Sequence, residues 1–289
     1  MTVTTADTVY TLDIGSGLIT GILNRGKALI KTPMRPTVWR APTDNDRNIR
    51  WQWQNIGFDR ACPKCLSCKA ERITDNAVTV RTKLSLGAAL QRPFLWADML
   101  YTFLKDGSVK VDFDVRVRED VPMLPRFGLE FSMPQGTEQL AYFGCGPMES
   151  YPDKKLAARK SVFRTTVSAH FEHYVRPQEN MAHADTDWVT VASMTGHGLA
   201  AFSLGHPFSF NCAHFSAMQL TGTGHDYELV PQKDTIVNID YRQNGIGSNS
   251  CGPELAKAYR LDEKEFHWSF RLLPVLTGGT DPFYEWRKE

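Results

Sequence analysis

The side chains able to do chemistry gather in four polar, turn-rich segments. These are Trp39-Arg40-Ala41-Pro42-Thr43-Asp44-Asn45-Asp46, Gly144-Cys145-Gly146-Pro147-Met148-Glu149-Ser150-Tyr151-Pro152-Asp153, Arg176-Pro177-Gln178-Glu179-Asn180, and the stretch from Gln243 to Leu255. Two of Glu149, Glu179 and Glu254 could serve as the carboxyl pair of a retaining glycosidase, which stands about 5–5.5 Å apart across the scissile bond. His183 with Glu179, or His214 with Glu254, could act as the acid and base of a sugar epimerase. Trp39, Trp188 and Trp268 could stack on a sugar ring, although isolated tryptophans in alternating strands more often belong to the core. None of these combinations rests on a motif of its own. Asp and Asn close turns on their own backbone and Gly reaches positive φ without strain. Each segment read alone is therefore better explained as a tight connection.

The remaining candidates carry weaker chemistry. Cys62-Pro63-Lys64-Cys65-Leu66-Ser67-Cys68 has thiols at metal-ligand spacing, but a fourth ligand is missing and no metal is expected there. The eight histidines form no zinc-protease pattern. His170 and His173 are expected on the solvated face of a short helix, and His206 and His214 as satisfied polar residues in a strand. Gly15-Ser16-Gly17 lacks a following Lys-Ser/Thr and reads as a hairpin turn.

The elements that must position these groups are strands. Val109, Val111, Phe113, Val115 and Val117 alternate with Lys110, Asp112, Asp114 and Arg116, so one row meets a core and the other meets water. Val78 to Leu86, Phe127 to Met133, Ile236 to Tyr241 and Phe266 to Leu272 repeat the pattern. Turn residues separate the runs at Lys105-Asp106-Gly107, Pro134-Gln135-Gly136 and Thr195-Gly196-His197-Gly198. Helix-like patches are short: Asn48 to Phe58, Ala169 to Tyr174 and Glu254 to Tyr259. The fold class is all-β with stacked antiparallel sheets, expected as a single domain over residues 1–289.

Composition removes several classes of function. With 33 basic against 32 acidic residues there is no surplus of positive charge to hold nucleic acid or an anionic membrane. No stretch approaches the roughly 18 apolar residues of a membrane span. The first twelve residues lack the form of a secretory signal. Six scattered cysteines fit reduced thiols, and a cytoplasmic location is expected.

Taken in order, the four segments resemble the β-galactosidase small-chain family, and the likeness runs from about Thr8 to Pro274. Its most specific parts are Trp39 to Asp46, Gly146 to Asp153, Arg176 to Asn180 and Gln243 to Pro253. The resemblance implies a large antiparallel supersandwich similar to that of galactose mutarotases. It also implies association with a triose-isomerase-type barrel, the β-galactosidase large chain or N-terminal region, that carries the catalytic glutamates and acts on terminal β-D-galactose residues. On that basis this chain holds no catalytic residue and is inactive alone. It would complete the sugar pocket and stabilise an oligomeric enzyme. No cofactor is implied in this chain, while a divalent cation is allowed in the catalytic partner.

In some family members the loop matching Gly245 to Pro253 reaches the active site and presents a tryptophan to the sugar. Here no tryptophan lies between Gly245 and Leu255, and Cys251 stands at about that place. Ser248, Asn249, Ser250 and Cys251 are the substrate-binding candidates, the polar side chains as hydrogen-bonding groups. Three glycines and Pro253 predict a loop that stands out from the sandwich and is mobile until a barrel orders it. The alternatives are a free-standing aldose epimerase and a non-catalytic carbohydrate-binding module.

Overall fold

Alternation decides which side of each strand is buried. In Val109–Val117 the four valines and Phe113 are buried while the charged row faces outward. The computed structural model describes residues 1–5, 7–247 and 250–288. In chain order its strands are β1 (Thr2–Thr4), β2 (Thr8–Asp13), β3 (Leu18–Asn24), β4 (Lys27–Ala28), β5 (Arg35–Thr37) and β6 (Cys62–Ile73). There follow β7 (Ala77–Gly87), β8 (Leu95–Leu104), β9 (Val109–Val117), β10 (Arg126–Met133), β11 (Thr137–Gly146) and β12 (Arg159–Thr166). The last are β13 (His183–Thr186), β14 (Trp188–Ser193), β15 (His197–Leu204), β16 (Phe208–Ala213), β17 (Thr235–Gln243) and β18 (Glu265–Leu276).

These strands make three sheets in which every pairing is antiparallel. Nine strands run β12-β11-β14-β15-β18-β9-β8-β7-β6, five run β13-β16-β17-β10-β5, and four run β1-β2-β3-β4. The large sheet packs on both smaller ones. Phe113 of β9 meets Phe127 of β10 edge-on at 5.6 Å, and Tyr142 of β11 meets Phe210 of β16 at 5.1 Å. Tyr10 of β2 packs on Phe103 of β8 at 5.0 Å and donates its hydroxyl to the Gly107 carbonyl at 2.7 Å. Truncating a buried ring such as Phe113 to alanine costs about 3–5 kcal/mol, because the cavity cannot collapse.

Turn chemistry closes the hairpins. Asp13 accepts from the backbone of Gly15 and Ser16, and Gly17 takes φ +71° with its N–H bonded to the Asp13 carbonyl, so the Gly15-Ser16-Gly17 hairpin turn is present. Helices are few and short. The first, α1 (Arg50–Ile56), lies inside the expected patch and is stopped by Gly57 at φ +87°. The other two expected patches shrink to single 3-10 turns, Ser168–His170 and Lys257–Tyr259. Two helices fell outside the sequence reading. One is α2 (Ala217–Gly222), capped by the Ser216 hydroxyl, and the other is α3 (Pro282–Trp286), capped by Asp281 with proline in its first turn. Among the described residues no helix is long and apolar enough to cross a membrane.

The cysteine trio lies along β6, the free edge of the nine-stranded sheet. Cys62 is exposed, and a bulge between Cys65 and Ser67 breaks the strand's alternation. Among the described residues no three metal-ligating side chains stand together.

Candidate functional site

The four polar segments meet where β17 ends: the first two bond the backbone of residues 244–247 in the fourth, and the third braces the first. Arg40, fully buried, donates to the carbonyls of Asn244 at 2.6 Å and Gly245 at 3.1 Å. Its guanidinium is paired with both oxygens of Asp46, which also accepts from the Thr43 backbone and hydroxyl. Asn45 donates to the Ile246 carbonyl at 2.8 Å. The second segment brings Asp153, which accepts from the backbone N–H of Ile246 at 2.9 Å and from that of Gly247. The third brings Gln178, bonded to both the backbone and the carboxylate of Asp44, and Glu179, whose N–H donates to the Ala41 carbonyl. Polar backbone that leaves a sheet must find partners elsewhere. Here side chains from distant parts of the chain supply them.

The carboxylates considered for hydrolysis are occupied structurally. Glu149 is buried and accepts from Tyr174 at 2.6 Å, from the Met181 backbone at 2.9 Å and from Lys154. Glu179 is buried, accepts from Asn211 at 2.9 Å and Gln243 at 3.2 Å, and lies 3.6 Å from Arg126. Arg126 in turn makes a two-point pair with Asp240. Burial lifts the Asp240 carboxyl to about 6 against the pull of that guanidinium. Glu254 is exposed and paired with Arg260 at 3.1 Å.

His170 is not on a solvated face. It is buried, with Nε2 2.6 Å from Nε2 of His183 and Nδ1 3.2 Å from the Cys212 carbonyl. His183 places its Nδ1 2.8 Å from the Cys145 carbonyl and stacks on Tyr142. A carbonyl only accepts, so two Nδ1–H donors leave two lone pairs facing each other unless the pair holds one proton between them. Burial holds His170 down at about 4, and burial together with His170 holds His183 at about 3. His173 is exposed and pairs with Asp226. His214 lies just past β16 rather than in it, bonded to Glu138 and the Asp234 carbonyl, and His206 is exposed in the preceding turn. Neither proposed acid–base pair is made, because His183 and His214 spend their ring nitrogens elsewhere.

The tryptophan platforms are core residues: Trp39, Trp188 and Trp268 are all buried. A groove of about 560 Å³ lies on the outer face of the nine-stranded sheet, but none of the four segments lines it and Arg116 covers its Trp96 at 4.9 Å. Beside Arg126, Glu179, Asn180, Asn211 and Asn238 is a cavity of about 20 Å³, room for a water molecule and far too small for a sugar.

Of the loop candidates, Ser250 donates to the Asn45 side chain at 3.2 Å and Cys251 is exposed. Ser248 and Asn249 lie outside the described residues. Loop mobility was expected throughout, yet residues 244–247 are held by Arg40, Asn45 and Asp153 from the protein's own fold. Sequence reading named these three residues only as parts of segments. Their roles depend on contacts between positions about 93 to 205 residues apart, which local pattern does not carry.

A family model described as β-galactosidase small chain matches residues 4–272. The chain is 36% identical over 264 residues to a β-galactosidase of Actinobacillus pleuropneumoniae and 34% identical over 267 residues to one of Staphylococcus xylosus. Each match covers 91% of this chain but only 26% of the relative, so the chain spans about a quarter of the length of these curated relatives. Among solved structures, a putative aldose 1-epimerase from Escherichia coli K12 superposes with a TM-score of 0.50 at 8% identity, covering 94% of this chain and 97% of its own. A galactose 1-epimerase from Lactobacillus acidophilus NCFM gives 0.50 at 9%, covering 94% and 92%. That likeness establishes the fold, a mutarotase-like antiparallel supersandwich.

Proposed function

The chain belongs to the β-galactosidase small-chain family, and we propose that it is the part of a β-galactosidase that completes the sugar pocket and stabilises the assembly without carrying the catalytic glutamates. The observation that carries this reading is that the first two segments bond one stretch of backbone in the fourth, residues 244–247, while the third braces the first. So much polar structure spent on holding a loop base suits a loop that must arrive at a fixed place on another body.

The other body is the remaining three quarters of the relatives' length, proposed as a barrel with the glutamate pair. Large apolar side chains stand exposed in and beside the same segments, among them Trp51, Met148, Leu156 and Val175, and a partner would cover them. Glu149 and Glu179 are spent on internal bonds, which supports an inactive isolated chain. The epimerase alternative lacks its acid and base for the same reason.

The test is assembly. Sedimentation of this chain with the large chain encoded beside it, or in frame with it, should give a stoichiometric complex at micromolar concentration. Two species sedimenting independently would contradict the proposal.

A further inference from the structure

We infer that Asp153 is the positioning residue for the sugar-facing loop, an inference that rests on the function proposed above. Asp153 lies at the apex of a tight turn closed by the Tyr151–Lys154 backbone pair, N to O at 3.1 Å and 2.9 Å. The turn is anchored because Tyr151 is buried and the Ser150 N–H donates to the Ala182 carbonyl at 2.7 Å. From this rigid mount one carboxylate grips two successive amides, Oδ1 taking Ile246 N–H and Oδ2 taking Gly247 N–H. Charged acceptors make the stronger backbone hydrogen bonds, and two fix direction as well as distance.

Packing shows the same fit. A Cβ at Gly247 would come within 2.4 Å of Oδ2, and one at Gly245 within 2.8 Å of Oδ1. A side chain at either glycine would therefore have to displace the carboxylate, and at Gly245 Leu255 as well. The opposite side of the loop is held at Ile246 by Asn45, which in turn accepts from Ser250. The backbone at residues 246–247 is thus fixed by Asp153 on one side and Asn45 on the other. Asp153 touches no reacting atom; it acts through the loop.

A positioning role predicts a particular kinetic split. In the assembled enzyme, Asp153→Ala should raise KM for a nitrophenyl β-galactoside about tenfold while kcat stays within about threefold, since the barrel keeps its nucleophile and acid. Asp153→Asn retains one acceptor oxygen and should fall between wild type and alanine. Gly247→Ala pushes the loop off the same carboxylate and should raise KM similarly. The double variant Asp153→Ala/Gly247→Ala should be no worse than either single one, because both break one contact. A purely structural role would instead lower the thermal midpoint and the yield of active enzyme with KM unmoved. Wild-type KM in Asp153→Ala, or additive effects in the double variant, would overturn the inference while leaving the assembly intact. Failure of the wild-type chain to assemble would overturn the function proposed above, and this inference with it.

Discussion

Arg40 and Asp46 form an ion pair almost wholly removed from water, with side-chain exposures of 0% and 6% and Nη2 3.0 Å from Oδ1. The pair is embedded in the loop clamp, because the same guanidinium binds the carbonyls of Asn244 and Gly245. Breaking one member of a buried pair leaves the other charge unpaired, at a cost of about 3–5 kcal/mol. Asp46→Leu should therefore lower the unfolding free energy of the isolated chain by that amount, seen as a lower urea midpoint with an unchanged m-value. An unchanged midpoint would show that the pair contributes nothing to folding.

Acid should destabilise the fold through the two buried imidazoles. Unfolded histidine titrates near 6.5, whereas His170 is held at about 4 and His183 at about 3. Between about pH 4 and 6.5 the unfolded chain binds protons that the folded chain refuses, so stability falls as pH drops through that window. Asp240 acts with the opposite sign. Its carboxyl is raised from 3.8 to about 6, so the folded chain keeps a proton there that the unfolded chain has released. Two imidazoles against one carboxyl leave a net loss on acidification from these three groups. Urea midpoints of wild type and His170→Gln at pH 7 and pH 4.5 should show a smaller acid loss in the variant. Equal losses would refute the assignment.

Cys251 offers the loop little stacking surface, and it is exposed. If the loop lines the pocket of the assembled enzyme, Cys251→Trp should tighten binding of the leaving-group sugar by at most about 1–2 kcal/mol. Inhibition by that sugar measures it directly. An unchanged inhibition constant would mean that residue 251 does not reach the sugar.

The sheets were legible because alternation is local: the buried row of β9 is the same row that the sequence names. The four segments were legible as a set, and Asp153 closes one of them. Their mutual contacts were not, since nothing in the chain signals that residue 153 meets residues 246 and 247. The His170–His183 contact was hidden for a similar reason. The two residues stand only 13 apart, but they join a 3-10 turn to β13 across an irregular connection without periodicity. Helices α2 and α3 are too short for an amphipathic pattern and are marked only by their caps.

The central claim is that this chain serves a β-galactosidase whose catalytic glutamates lie elsewhere. The most direct measurement is steady-state release of nitrophenol from nitrophenyl β-galactoside by this chain alone, by the large chain alone and by the two mixed. The account predicts no turnover by this chain, and a mixture that exceeds the large chain by well over tenfold in kcat/KM. Turnover by this chain alone, lost in Glu149→Gln or Glu179→Gln, would contradict it.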